Sequence, residues 1–77
     1  MPGDRLQCCT IFRDDGRGNP LPNKEENVYM DFNEVIVVQP VKDSEGQFFC
    51  TRATLRCGNV YFIDLPWEKV VSMARGY

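Results

Sequence analysis

The stretch 58-GNVYFIDLPWEKVVSMARG-76 decides the fold, because it changes period halfway along. Up to Leu65 the residues are those of a strand, β-branched and aromatic. From Pro66 onward they follow a helix: Trp67, Val70, Val71 and Ala74 fall at i, i+3, i+4 and i+7, on one face. Met73 lies beside that stripe, and Glu68, Lys69, Ser72 and Arg75 fall largely opposite it. Asp64 is one candidate N-cap; Pro66 at the first helical position would shift the cap to Leu65. Gly76 is placed to stop the helix. A helix of about ten residues is marginal alone, so it must dock on the sheet, with Trp67 as its buried structural anchor. The corner Asp64–Glu68 then reads as strand end, cap and helix start rather than as a catalytic cluster.

Working outward from that corner, Gly58–Asn59 is a two-residue hairpin candidate joining 60-VYFIDL-65 to the antiparallel strand 48-FFCTRATLRC-57. In that strand Phe49, Thr51, Ala53, Leu55 and Cys57 share one face. Arg52, Thr54 and Arg56 occupy the other, so the strand is expected to be half exposed. The polar segment 42-KDSEGQ-47 is a further hairpin turn. Before it, 28-VYMDFNEVIVVQPV-41 alternates at first and then runs continuously apolar through 35-VIVV-38, the pattern of a strand covered on both faces. Asn33–Glu34 marks a bend between a short strand and a longer one, and Pro40 marks a sheet edge or strand end. The segment 6-LQCCTIFRD-14 is a strand. Between it and Val28 lies 14-DDGRGNPLPNKEEN-27, rich in proline and glycine and expected to form a long loop. The expected fold is mainly β (α+β): a bent antiparallel sheet or small open barrel of about five strands with one C-terminal helix. Residues 1–77 form a single small domain.

Composition narrows the class of function. Seventy-seven residues with 43% apolar content support one small core, and a chain this size gains from burying more surface by oligomerisation. Residues 1–47 carry five Lys/Arg against nine Asp/Glu, and residues 48–77 four against two. An overall charge of −2 argues against general nucleic-acid binding, which needs a basic stripe. No run of about 18 apolar residues is present to span a membrane. The segment MPGDRLQCC lacks the apolar centre of a secretory signal, so a cytoplasmic location is expected.

The absence of histidine removes imidazole acid–base chemistry and His metal ligation. Cys8, Cys9, Cys50 and Cys57 are spaced unlike the close pairs of a zinc site, and adjacent cysteines on a strand point to opposite faces. They are expected to be free thiols packed as small apolar groups. No metal and no cofactor is expected.

The stretches 28-VYMDFNEVIVV-38, 54-TLRCGNVYFI-63 and 64-DLPWEKVV-71 resemble the small flagellar FlbD-type proteins over residues 28–74. That pattern is a short strand, an isoleucine/valine-rich strand, a hairpin with a glycine, another strand, and a helix opened by a polar residue. The resemblance implies a small non-enzymatic β module, and a flagellar accessory role as one alternative. Compact modules of this kind also look like phage accessory proteins.

Candidate sites are few. The carboxylate pairs Asp14–Asp15 and Glu25–Glu26 lie in the turn-rich segment, without the cleft that paired-carboxylate catalysis needs. The DDG run lacks the alternating oxygen ligands of a calcium loop. An enzyme is not expected. Arg52 and Arg56, four apart on one strand, would share a face about 13 Å apart with Thr54 between them. They could hold an acidic protein patch or a phosphorylated small molecule or nucleotide. Arg13, Arg17 and the backbone of 16-GRGNP-20 could add donors to the same anion. Tyr29, Tyr61, Phe48 and Tyr77 exceed what so small a core hides, and tyrosines on an outer sheet face favour interfaces. An unpaired edge, either 28–38 or the N-terminal strand, could pair with a second copy as a homodimer. The expected function is a non-catalytic protein that binds and modulates or inhibits a macromolecular partner, a protein above all, of the bacterial or phage accessory (anti-defence) type. Sequestration of a phosphorylated ligand by the arginines is the alternative.

Overall fold

The computed structural model describes residues 6–75. Five strands, β1 (Leu6–Asp14), β2 (Pro20–Asp31), β3 (Val35–Lys42), β4 (Phe48–Leu55) and β5 (Val60–Ile63), form one antiparallel sheet. A C-terminal helix, α1 (Trp67–Ala74), completes the fold. Sheet order is β2-β1-β5-β4-β3, so β2 and β3 are the two edges. The mainly β architecture expected from sequence is the one observed. The helix stop assigned to Gly76 and the surface role assigned to Tyr77 lie outside the described residues.

Three hairpins turn through the same device. In Asp15–Asn19, Asp43–Gln47 and Leu55–Asn59, the first residue's N–H donates to the fifth residue's carbonyl, at 2.9, 2.8 and 2.8 Å. The fourth residue is glycine each time, with φ of +85°, +79° and +97°, the left-handed step that closes a three-residue hairpin loop. Gly58 therefore does not form the expected two-residue turn with Asn59. Its N–H reaches back to the Leu55 carbonyl at 2.9 Å, making Arg56 and Cys57 part of the loop. Asp15 and Asp43 brace their turns from the side chain. Asp43 accepts from the N–H groups of Glu45 and Gln47 at 2.9 and 3.0 Å.

The expected long loop 14–27 is mostly sheet. Only Asp15–Asn19 is turn, and β2 begins at Pro20. Prolines are excluded from central strands but tolerated on an edge, where the missing N–H faces solvent. The register moves from Phe12↔Glu25 to Asp14↔Pro20, so four residues, Leu21 to Lys24, bulge opposite Arg13. The punctuating residues of 14–27 distort a strand; they do not abolish it.

Strands β2 and β3 stand at opposite edges, yet only a 3-10 turn, Phe32–Glu34, joins them. Three residues cannot cross a flat five-stranded sheet, so the sheet must curl until the end of β2 meets the start of β3. Asp31 fixes the joint by accepting the Asn33 N–H at 3.0 Å, and Phe32 is buried inside it at 1% exposure. The expected bend at Asn33–Glu34 is this turn.

The curl encloses the main core: Cys9, Ile11, Met30, Ala53 and Ile63 from the sheet, Phe32 from the 3-10 turn, and Val70 from α1. A smaller cluster of Phe12, Cys50 and Phe62, flanked by Val41 and Phe49, lies apart from it. Cys50 is thus buried on the Arg52 face of the strand expected to be half exposed. The helix anchor is also corrected: Val70 is fully buried, whereas Trp67 is 45% exposed. Trp67 shares Val70's stripe, but it opens a helix of only two turns that docks on β3, the 3-10 turn and β4. Neither Asp64 nor Leu65 caps it. Pro66 occupies the N-cap with no side-chain bond. The strand-to-helix corner is instead tied by Asp64 N–H to the Thr10 carbonyl at 2.8 Å. The buried Thr51 hydroxyl adds a bond to the Leu65 carbonyl at 2.6 Å.

Candidate interaction surface

The four arginines do not converge. Arg52 lies in β4, in register with Phe62 and Gln39 on its neighbours, and its guanidinium donates to Gln39 Oε1 at 2.7 Å. Arg56 is beyond the end of β4, in the turn, so the two do not share a strand face as expected. Its N–H holds the Glu34 carbonyl at 2.8 Å, and its Nε donates to Glu34 Oε2 at 3.1 Å. Thr54 separates them, paired with Val37 and Val60. Phe12, Phe62 and Arg52 are in register across three strands. Arg13, one residue after Phe12, is therefore out of phase with Arg52 and on the other face.

Arg17 sits in the β1–β2 turn, where three of the four N–H groups expected to bind an anion, those of Gly16, Arg17 and Asn19, are already used. Gly16 donates to the Asp14 carboxylate. Arg17 and Asn19 donate to Asp15 Oδ1 at 2.7 and 3.2 Å. The Arg17 N–H, aided by Asn19, holds the Asp15 carboxyl below its ordinary range. An internal carboxylate fills the place assigned to an external anion.

The other candidates for chemistry are similarly placed. Glu25 and Glu26 lie in register with Phe12 and Ile11, so alternation sends them to opposite faces. Cys8 and Cys57 are exposed, Cys9 and Cys50 buried, and all four are free thiols. Desolvation, with a contribution from Asp64, raises the Cys50 thiol to about 11, and burial raises Cys9 as well. Both remain protonated at neutral pH and are poor nucleophiles and ligands. Among the described residues no group of three or more Cys, Asp or Glu is placed to hold a metal ion. No helix among them is long and apolar enough to cross a membrane. The grooves are open: one of about 380 Å³ is lined by Glu34, Leu55, Arg56 and Cys57. Another, of about 320 Å³, lies near Arg13, Asp14, Glu26 and Tyr61 where β1 and β5 part.

What remains is apolar surface on the sheet margins. Tyr29 is 73% exposed on β2, while Tyr61 is half-buried against the main core. Phe48 and Trp67 are exposed as well. The densest stretch belongs to β3, where Ile36 and Val37 are 55% and 42% exposed. Expected to be covered on both faces, 35-VIVV-38 is instead an edge strand with a bulge between Val35 and Val37. A β-branched run specifies a strand; sheet order decides whether it is covered. Pro40 is the one residue in the sequence that signals the edge.

The two edges differ in kind. β2 carries Pro20, Pro22, Lys24, Glu25 and Glu26, the residue types that discourage a further strand from adding. β3 carries no charge from Val35 to Val41. The N-terminal strand β1, the other edge expected from sequence, is interior. Comparison with protein-family models, curated proteins and solved structures finds no match for this chain.

Proposed function

We propose that this chain is a non-catalytic binding protein that modulates or inhibits a macromolecular partner, with the β3 edge as the strand on which a further protein chain docks. The observation that carries this reading is the asymmetry of the edges. An uncharged, partly exposed edge strand is a template for addition of another strand. β2 is blunted by two prolines and the charges of Lys24, Glu25 and Glu26, whereas β3 has one proline, Pro40, one bulge in its own strand, and no charge before Lys42. Main-chain hydrogen bonds on the open side of β3, between the bulge at Ile36 and Pro40, would give affinity, and Ile36 and Val37 would supply apolar contact. A protein is the partner class that such an edge fits. A phosphorylated ligand gains less support, because the arginines are dispersed and three of the four turn donors are internally engaged.

A photo-crosslinking residue placed at position 36, with position 25 on the β2 edge as control, tests this in cells of the native host. The expected result is a discrete protein adduct from position 36 that position 25 does not give. Equal labelling from both edges, or none from either, would remove β3 as the working surface.

A further inference from the structure

We infer that the strand seated on β3 is β3 of a second copy of this chain, paired antiparallel about a two-fold axis near Val38. This rests on the reading of β3 as the docking edge. Charge supplies the first argument. The uncharged run is bounded by Glu34, whose exposed carboxylate also meets Arg56 of its own chain, at one end and by Lys42 at the other. Antiparallel self-pairing lays the acidic end of one copy beside the basic end of the other, and the two-fold axis makes this happen twice. For an axis at Val38, Glu34 of each copy lies toward the Lys42 end of the other, beyond the paired residues. A shift of a residue or two keeps the opposite charges near each other, whereas parallel pairing would set like against like.

The backbone supplies the second. Pro40 lies in register with Thr51 of β4 and has no N–H to give, so its nitrogen belongs on the free side. Residues two apart in an antiparallel strand direct their main-chain groups the same way. The N–H and C=O of Val38 therefore face the open edge and can exchange both bonds with Val38 of the second copy. The donor missing at Pro40 and the bulge at Ile36 bound the new ladder on either side. A joint this short lies at the small end of specific interfaces, so the dimer should dissociate measurably on dilution.

Closure supplies the third. A two-fold joint uses each β3 edge once, leaving a ten-stranded sheet whose ends are both β2. Those ends carry Pro20, Pro22, Lys24, Glu25 and Glu26 and do not template further addition. The assembly stops at two rather than growing into a fibre.

Charge exchange tests the arrangement. Sedimentation velocity of the wild-type chain over a hundredfold concentration range should show a monomer–dimer equilibrium. E34K and K42E should each weaken it at least tenfold, since each homodimer then opposes like charges at both ends. An equimolar mixture of the two variants should regain wild-type association, because the mixed dimer has opposite charges at both ends. A folding defect could not be repaired by mixing, and the Glu34–Arg56 pair that E34K disturbs is solvent-exposed. A monomeric wild type, indifference of both single variants, or failure of the mixture to recover would overturn the inference. The proposed function would survive a monomeric wild type if position 36 crosslinked to a different protein. It would fall with the inference if the chain dimerised but Ile36→Lys had no effect on the dimer or on any adduct.

Discussion

Replacing Val70 should cost more than replacing Trp67, although tryptophan is far the larger residue. Val70→Ala removes two methyl groups from a site with no solvent exposure, about 1.6 kcal/mol of transfer free energy at roughly 0.8 per carbon. A cavity of about 50 Å³ adds roughly 1.2 kcal/mol. The better helix propensity of alanine returns about 0.5, leaving a loss of about 2 kcal/mol. Trp67 is 45% exposed, so Trp67→Ala uncovers roughly 100 Å², an upper value near 2.5 kcal/mol. Solvent fills the space, so no cavity cost is added. Compactness of the unfolded chain and the propensity gain reduce the loss to about 1 kcal/mol. Urea unfolding followed by far-UV circular dichroism measures both without relying on the indole. In parallel, acrylamide should quench the fluorescence of folded wild-type protein readily. A larger loss for Trp67→Ala than for Val70→Ala, or an indole shielded from quencher, would show that the ring is the anchor and that the helix docks differently.

Two further predictions concern the thiols and the turns. The Cys50 thiol is raised from 9.0 to about 11 by burial, so between those values the folded chain holds a proton that the unfolded chain has released. Stability contributed by Cys50 is present below pH 9 and lost as pH rises toward 11; Cys50→Ala should flatten that alkaline decline in urea melts, and an unchanged slope would contradict the burial argument. Gly58→Ala meets nothing within 4 Å of the added carbon, so its cost of about 1–2 kcal/mol should come from the φ of +97° alone. Gly58→Asn, which tolerates that conformation better, should recover part of the loss in the same melts.

Much of the fold is legible in the residues, and what is not has a consistent cause. Period and composition placed the β4–β5–α1 unit, the bend at Asn33–Glu34 and the β3–β4 turn, because each depends on neighbours a few positions away. Two readings failed where the answer depends on sheet order. The run 35-VIVV-38 looks like a central strand because nothing local distinguishes a covered β-branched run from an edge one. Residues 20–27 look like a loop because proline and charge are hostile to a central strand, yet both suit an edge. The arginine site failed for a related reason. Spacing four apart means one strand face only while the strand lasts, and β4 ends before Arg56. Of the two edges named from sequence, 28–38 contains the start of the β3 edge, whereas the N-terminal strand β1 is interior.

The curl of the sheet explains why the edges carry so much of the argument. A barrel closed along its whole length has no edges to defend, whereas here closure is confined to the 3-10 turn that links β2 to β3. β2 and β3 do not pair with each other, so each is left with an open side. Natural sheets blunt such sides because unspecific pairing leads to aggregation, and β2 is blunted by proline, charge and a four-residue bulge within a span of seven positions. The same chain leaves Ile36, Val37 and Val38 uncharged on β3 and ends the run with opposite charges. The proposed self-pairing uses that difference: antiparallel pairing sets Glu34 of one copy near Lys42 of the other.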